Sequence, residues 1–317
     1  MSSSSQQLFR KSVKFYDKHY LLVDHRVLQG SNKVYLGDRE SKLCRFCGKS
    51  YPDVTFRNRA HAVTECLGNK ILFSYYECDE CNQTFGTGIE DHLCKFLATK
   101  RYVSGIKGKH GVPTLRSSRF KGWEATSDGK NSVICCGDGE ELITFDEPNK
   151  RVLITFESQS YIPAAVYKGF SKIALSLVPE AMVYLFLPTL EWLRSPVDSQ
   201  ENIIDPLYLF ETFIPGPPFF KNVETYLLRR KEKEAVVPFM FFVICIGNFM
   251  FQLMIPSTED YKNYSKGMRM LVFPNAVDMI ESPFGESITR TVDLSSTCMV
   301  RNETRNVSLR YSNLVKS

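Results

Sequence analysis

Residues 43–97 read LCRFCGKSYPDVTFRNRAHAVTECLGNKILFSYYECDECNQTFGTGIEDHLCKFL, with Cys-x-x-Cys pairs at Cys44/Cys47 and Cys78/Cys81. Each pair on a tight turn can direct two sulfurs at one centre, and two pairs complete the tetrahedral four-sulfur site that zinc prefers. Disulfides, buried free thiols or a redox pair are the alternatives. Two pairs that frame one short segment favour structural zinc, which holds the fold and leaves no open position for chemistry.

Side chains that can bind a hard cation or accept a proton cluster in the same segment. They are His61, Glu65, Asn82, Glu90, Asp91 and His92. An imidazole titrates near neutral pH, and carboxylate oxygens are ligands of hard cations. The set therefore suggests a second metal with a chemical role. The alternatives are a buried core histidine at His61 and exposed polar side chains at Glu65 and His92.

The order of these motifs is specific. The first cysteine pair is followed, in this order, by Ala60-His61, Glu65, Leu67-Gly68-Asn69, the second pair with Asn82, and Ile89-Glu90. This order resembles the HNH endonuclease family, and within it the subgroup with CxxC, Ala-His or Glu-His, Leu-Gly-Asn and CxxCN motifs followed by an acidic residue. The likeness covers roughly residues 43–115 and rests on motifs that occur together and in order.

The resemblance implies a ββα-metal core and hydrolysis of DNA. A strand near residues 54–57 would lead to His61, a second hairpin strand would follow, and a helix would begin near Asn82. Carried over to this chain, His61 is the general base, Asn82 orients it or binds a catalytic divalent cation, usually Mg²⁺, and Glu90 fills the acidic position.

Apolar spacing supports that helix independently of the resemblance. After Asn82 the apolar residues recur at roughly helical intervals, at Phe85, Ile89, Leu93, Phe96 and Leu97. Two glycines, Gly86 and Gly88, disfavour its first turn, so the regular helix is expected either from near Asn82 or from Ile89 onward.

One position departs from the family pattern. Many HNH enzymes carry Asp, Glu or His directly before the catalytic histidine as a metal ligand, and that residue is Ala60 here. The cation must then lose a ligand or recruit another one. The candidates for recruitment are Glu65, Glu90, Asp91 and His92. We expect Asn82 and Glu90 to hold the cation, with His92 as a further ligand.

The next segment, residues 98–121, reads ATKRYVSGIKGKHGVPTLRSSRFK and carries basic but no acidic residues. Its glycines and serines predict a turn-rich strip rather than an amphipathic helix. A basic segment directly after a nuclease core is placed to bind backbone phosphates, with a solvated linker as the alternative. The residues expected to contact nucleic acid are Lys100, Arg101, Lys107, Lys109 and Arg116.

The composition is that of an ordinary globular chain. Its 317 residues suffice for two domains, and the net charge of +5 indicates no particular partner by itself. Ten cysteines are too few for a disulfide scaffold. The cysteines outside the zinc set fit the reduced thiols of a cytoplasmic protein, and they are Cys66, Cys94, Cys135, Cys136, Cys245 and Cys298.

Residues 235–255, AVVPFMFFVICIGNFMFQLMI, are long and uncharged enough to cross a membrane. The central Gly247-Asn248 pair instead favours a buried hairpin, since two apolar runs joined by Gly-Asn are a turn signal. At the N-terminus, residues 1–7 are serine-rich and lack the apolar core of a signal peptide, so a short disordered start is expected. Residues 20–23 are a candidate strand.

These features predict an α+β fold with a zinc-supported ββα-metal module followed by a mixed α/β domain with antiparallel strands. The predicted parts are an N-terminal extension (1–42), an HNH nuclease module with its basic strip (43–120) and a C-terminal domain (121–317). A helix is expected after Ser160 in that domain. Its role is open between positioning DNA, sensing a trigger that licenses cleavage, and binding a partner protein or a second copy.

The predicted function is metal-dependent endonuclease action on DNA, with a structural Zn²⁺ and a catalytic Mg²⁺ or other divalent cation. Defence against foreign DNA is an expectation by analogy with the family, and no membrane partner is expected. The alternative is a non-catalytic, zinc-ribbon-like module that binds nucleic acid through the basic strip. Both alternatives imply salt-sensitive binding, so binding alone does not separate them.

Overall fold

The computed structural model of the chain describes residues 3–261, 263–264, 267–275 and 283–315. Its α-helices are α1 Ser3–His19, α2 Asp79–Thr87, α3 Ile89–Phe96, α4 Ala98–Val103, α5 Pro163–Leu177 and α6 Leu187–Arg194. Its strands are β1 Tyr20–Leu28, β2 Val34–Leu36, β3 Ala60–His61, β4 Leu72–Ser74, β5 Leu115–Arg116, β6 Glu124–Ser127, β7 Ser132–Cys135, β8 Ile143–Asp146, β9 Arg151–Glu157, β10 Tyr208–Phe213, β11 Phe220–Arg230, β12 Met240–Gly247, β13 Phe249–Met254, β14 Ile288–Asp293 and β15 Thr304–Arg310. Helices and mainly antiparallel sheets confirm the predicted α+β class.

Residues 44–97, called the module below, contain two short strands followed by two helices. Strand β3 places His61 opposite Phe73 of antiparallel β4, and β2 pairs with β4 in parallel. Helix α2 contains Asn82 and ends before Gly88, where α3 begins. Both predicted helix starts therefore exist, and the glycine-weakened region is the break between two helices.

No strand forms at residues 54–57, contrary to the prediction. The Asp79 carboxylate instead accepts hydrogen bonds from the backbone N–H groups of Arg57 (3.0 Å) and Asn58 (2.8 Å) and from the Thr55 hydroxyl. These bonds satisfy backbone N–H groups that would otherwise need carbonyl acceptors on a neighbouring strand. The chain therefore enters β3 from an irregular loop that the start of α2 holds in place.

The N-terminal segment belongs to the main sheet. Helix α1 buries Phe15 and Tyr16 against one sheet face, and β1 pairs with β11 from Tyr20 to Leu28. The strand predicted at residues 20–23 is confirmed. The disordered start predicted for residues 1–7 is wrong from Ser3 onward, because burial of the aromatic face supports a helix whose first residues are polar; residues 1–2 lie outside the described residues.

The main sheet has six antiparallel strands in the order β1-β11-β12-β13-β10-β14. Both faces of the β12–β13 hairpin are covered. Phe242 and Ile244 belong to the core that contains α5, whereas Phe241 and Val243 belong to the core that contains α1. Two-sided burial explains the unbroken apolar run and confirms the hairpin turn at Gly247. Among the described residues, no helix is long and apolar enough to cross a membrane.

Two small sheets, β15-β9-β8 and β5-β6-β7, complete the C-terminal half. They share a core in which Phe156 packs against both Trp123 and Tyr102 of α4. Burial of Ala98 and Tyr102 explains why residues 98–103 form a helix, where the sequence predicted a turn-rich strip.

Helix α5 joins the module to the main sheet, and the helix predicted after Ser160 is thereby confirmed. A Cβ at Gly169 would lie 2.9 Å from the Cβ of Leu93 and 3.0 Å from the Ile89 carbonyl oxygen of α3. On another side, the Phe170 ring lies 5.3 Å from the Phe251 ring of β13. One hydrophobic core runs through the module, α5 and the sheet, while the division of the chain at residues 42 and 120 stays a prediction.

A disulfide joins Cys66, in the 3₁₀ turn Glu65–Leu67, to Cys94 of α3. The prediction that these two cysteines are reduced thiols is therefore wrong. No spacing motif links them, because the pair forms only when the turn and α3 pack side by side. The bond connects the segment that carries Glu65 to the helix that carries Glu90.

Replacing Cys94 with Ser should lower the free energy of unfolding by about 2–4 kcal/mol, because the bond closes a loop with a sequence separation of 28. Urea unfolding of the purified protein measures the loss. The control is Cys298→Ser at an exposed free thiol, which should change stability by less than about 0.5 kcal/mol. Equal stability of the two variants would contradict the structural role of the disulfide.

Candidate functional site

The four cysteine sulfurs of the two Cys-x-x-Cys pairs converge on one point. The Sγ atoms of Cys44, Cys47, Cys78 and Cys81 all lie within 4.8 Å of one another, and Cys47 Sγ is 3.9 Å from Cys78 Sγ. A tetrahedral zinc site with Zn–S bonds of about 2.3 Å has S···S edges of roughly 3.8 Å. The sulfur cluster therefore fits a zinc ion.

The four thiols of this cluster shift one another's pKa values. The side-chain hydrogen bond with Cys81 lowers the pKa of Cys44 to about 5, whereas burial raises the pKa of Cys78 to about 12. The hydrogen bond with Cys44 in turn raises the pKa of Cys81. A bound Zn²⁺ would stabilise all four as thiolates.

Arg45 connects this cluster to α5. Its guanidinium lies 3.7 Å from the centre of the Tyr76 ring and donates hydrogen bonds to the carbonyls of Leu175 (2.7 Å) and Val178 (2.7 Å). Carbonyls at a helix C-terminus lack partners within the helix, and a cation there is favourable. The first cysteine pair thus helps to hold the end of α5.

His61 lies half-buried at the end of β3, with its ring 4.7 Å from that of Phe73. Burial lowers its pKa, with a further contribution from Lys172, and the nearby carboxylates of Glu65 and Glu90 partly oppose the shift. The neutral imidazole is therefore favoured at neutral pH. A neutral imidazole beside carboxylates is the state that a general base requires.

Of the predicted cation ligands, the structure brings Glu65 and Glu90 into the electrostatic environment of His61. Glu65 is half-buried at the start of the 3₁₀ turn, and Glu90 is in the first turn of α3. Asn82 is half-buried in α2, where its backbone N–H donates to the Cys78 carbonyl. Asp91 instead forms an ion pair with Lys95, 2.6 Å apart.

His92 has a different environment from the one expected. It is 8% exposed, so the alternative of an exposed polar side chain is wrong. Its Nδ1 accepts a hydrogen bond of 3.1 Å from the backbone N–H of Ile162, and burial lowers its pKa. One ring nitrogen of His92 thus tethers α3 to the residue before α5. Its role as a cation ligand stays a prediction.

Asn69 of the Leu-Gly-Asn motif is a structural residue of the site. Its buried amide donates to the carbonyls of Val63 (2.6 Å) and Leu72 (2.8 Å), and its carbonyl oxygen accepts from the N–H of Leu72 (2.8 Å). It therefore fixes the loop between β3 and β4 on which Glu65 lies.

Sequence reasoning missed Glu77 and Lys172, which lie under the site. Lys172 Nζ is 2.9 Å from a Glu77 carboxylate oxygen, 2.8 Å from a Glu90 carboxylate oxygen and 3.1 Å from the His61 carbonyl oxygen. Burial raises the pKa of Glu77 to about 7. Burial alone would lower that of Lys172, but Glu77 and Glu90 outweigh it and raise the pKa. The sequence signal that could have indicated Lys172 is a lysine within a largely apolar helix.

Two residues of the predicted phosphate-binding set are buried, and the prediction for them is corrected. Lys100 is 3% exposed, with Nζ 3.3 Å from a Glu211 carboxylate oxygen and 4.0 Å from the Phe96 ring centre. Burial lowers its pKa to about 7. Arg101 is 7% exposed. Both lie in α4, and neither can present its charge to the phosphate backbone of a nucleic acid at the protein surface.

The other basic residues of the strip are exposed. Arg116 pairs with Glu124 at 3.3 Å, and Lys107 and Lys109 lie at the surface. Lys107 lines a cleft of about 300 Å³ together with Lys70 of the module and Lys221 of β11. This cleft brings together basic residues that are far apart in the sequence.

Comparison with protein families agrees with this geometry. Residues 44–97 match the family model described as HNH endonuclease. The match begins at the first zinc-site cysteine and ends after α3, so it contains His61, Asn82 and Glu90. The resemblance seen in the motifs is thereby confirmed for this segment. No curated protein and no solved structure matches the chain.

Purified protein should contain about one zinc ion per chain, and Cys78→Ser should lose it and destabilise the module, because structural zinc contributes folding free energy. Elemental analysis and thermal unfolding measure the two effects. Cys135→Ser, at an exposed free cysteine, is the matched control and should keep the metal. A folded module without bound metal would contradict the zinc site.

Proposed function

We propose that the chain is a metal-dependent endonuclease that hydrolyses phosphodiester bonds of DNA. The observation that supports this most is that the HNH match contains His61 with the carboxylates of Glu65 and Glu90 close enough to affect its pKa. In this proposal His61 removes a proton from the attacking water. Its lowered pKa keeps the imidazole neutral and able to accept that proton at neutral pH.

A divalent cation such as Mg²⁺ would be held by Glu90 and Asn82, with Glu65 in place of the ligand that Ala60 lacks. Ala60 is buried and paired with Ser74, so the replacement must come from another element. Carboxylate and amide oxygens are suitable donors for a hard cation. When bound, the cation supplies stabilisation of negative charge on the phosphate and the leaving oxygen.

The DNA backbone is proposed to lie along the cleft between the module and the main sheet. Lys70, Lys107 and Lys221 line it, and the exposed Lys109 follows on the same strip. Cations from separate elements around one cleft raise the local concentration of a polyanion. This path gives the C-terminal half a DNA-positioning role and replaces the buried Lys100 and Arg101 in the predicted contact set.

A cytoplasmic role in defence against foreign DNA is proposed by analogy with the family alone. The thiols of the zinc site support a reducing compartment, whereas the Cys66–Cys94 disulfide is typical of an oxidising one. Thiol labelling of protein taken directly from cells would decide between the compartments. A partner protein or a second copy bound through the C-terminal half stays a prediction.

His61→Ala should slow plasmid cleavage in the presence of Mg²⁺ by about 10²–10⁴-fold, because a general base is lost, and EDTA should stop cleavage by the wild type. Activity should decline as the pH falls below 6.5, since the pKa of His61 is lowered from that value and protonation removes the base. A gel assay at several pH values measures all three effects.

The matched control is His25→Ala, at a histidine that stacks on Tyr226 outside the site, and it should cut at the wild-type rate. Single-stranded DNA, duplex DNA and RNA are tested in parallel. If wild type and His61→Ala bind DNA equally and neither cuts any of these substrates, the non-catalytic binding module is the correct alternative.

Lys107→Glu combined with Lys221→Glu should weaken DNA binding and lower the slope of log affinity against log salt by about 2, one for each lost phosphate contact. Fluorescence anisotropy at several salt concentrations gives the slope. Lys14→Glu, on the exposed side of α1, makes the same kind of charge change away from the cleft. An equal slope change in that control would contradict the proposed path.

A further inference from the structure

Helix α5 lies outside the matched segment, yet one of its side chains reaches the centre of the site. Lys172 is 1% exposed, and its ammonium contacts Glu77, Glu90 and the His61 carbonyl oxygen at 2.8–3.1 Å. A lysine ammonium has three N–H donors. Three acceptors surround it, one from the residue before the second cysteine pair, one from α3 and one from β3.

We propose that Lys172 is a positioning residue of the nuclease site, which fixes the Glu90 carboxylate and the His61 backbone relative to each other. The inference rests on the proposed nuclease function, because it assigns Lys172 a part in the geometry of that site. Lys172 acts through these two residues and is too deeply buried, at 1% exposed, to contact DNA.

The charges explain why the arrangement is rigid. Glu77 is 2% exposed and belongs to a buried ion pair with Lys172, so neither side chain gains water by moving away. Glu90 is the more accessible partner, with 17% of its side chain exposed. The ammonium holds one carboxylate oxygen of Glu90, which leaves the second oxygen for a cation.

The surroundings keep the ammonium in this place. The Phe46 and Phe85 rings lie 5.9 and 6.0 Å from Lys172 Nζ, and Phe85 belongs to α2. Arg45 holds the carbonyls at the end of the same helix. Helix α5 is thus anchored beside Lys172 by the zinc-binding part of the module.

Lys172→Met tests the inference, with Lys168→Met as the matched control. Lys168 lies one turn earlier on α5, is equally buried at 1% and donates to Ser195 Oγ at 2.7 Å, far from the acids of the site. The double variant Lys172→Met with Glu77→Gln removes the fully buried Lys172–Glu77 pair as a whole. Only Glu90, whose side chain is 17% exposed, then lacks its cation.

Plasmid cleavage is measured at a temperature where each variant is folded and retains zinc. Lys172→Met and the double variant should lose about 10–100-fold in kcat, as is typical when a residue that supports metal ligands is removed. The KM for DNA should stay unchanged, because the lysine is out of reach of the substrate. Lys168→Met should keep the wild-type kcat.

Wild-type kcat in the folded double variant would overturn the inference and leave the nuclease proposal intact. An equal loss in Lys168→Met would also overturn it, because the effect would then belong to the packing of α5. A wild type that cuts no nucleic acid would overturn the nuclease proposal and this inference together, so the two failures are distinguishable.

Discussion

Every residue of α5 is buried, so each charge on this helix must be satisfied inside the protein. Its two lysines meet that requirement in different ways. Lys168 donates to neutral oxygens of Ser195 and Pro196, whereas Lys172 is paired with the acids Glu77 and Glu90. A buried charge without partners would cost several kcal/mol. The contact with the module therefore places a cation under the proposed catalytic residues, and the close approach at Gly169 makes this contact possible.

The module is too small to depend on its own core. Its strands β3 and β4 are two and three residues long, and such short pairings contribute little stability without further support. The sulfur cluster ties residues 44–47 to residues 78–81, the disulfide ties the 3₁₀ turn to α3, and α5 covers the remaining apolar surface. Small folds commonly need covalent or metal cross-links for this reason. The two cysteine pairs of the sulfur cluster flank His61 in the sequence, and both disulfide cysteines follow it.

Features that depend on local spacing could be predicted from the sequence, and features that depend on tertiary contacts could not. The cysteine pairs, the α2–α3 break at Gly88 and the turn at Gly247 follow from residues a few positions apart. The Lys172 contact with His61 spans 111 residues, and that of Lys100 with Glu211 joins equally distant segments. Basic residues in a glycine-containing strip predict solvent exposure, and only the packing of α4 shows which of them are buried. The loop before β3 was mispredicted because the Asp79 side chain takes the place of a strand partner.

The basic strip is attached to the main sheet by side-chain hydrogen bonds. Directly before Lys107, the Ser104 hydroxyl donates to Asn248 Oδ1 at 3.0 Å and accepts from the Asn248 N–H at 3.1 Å, at the turn of the β12–β13 hairpin. The main sheet is thereby attached to the segment that carries the exposed lysines. Lys221 lines the same cleft and lies where the register of β11 with β12 shifts, between Phe220 and Glu224. The attachment fixes Lys107 relative to Lys221, which fits the proposed DNA-positioning role.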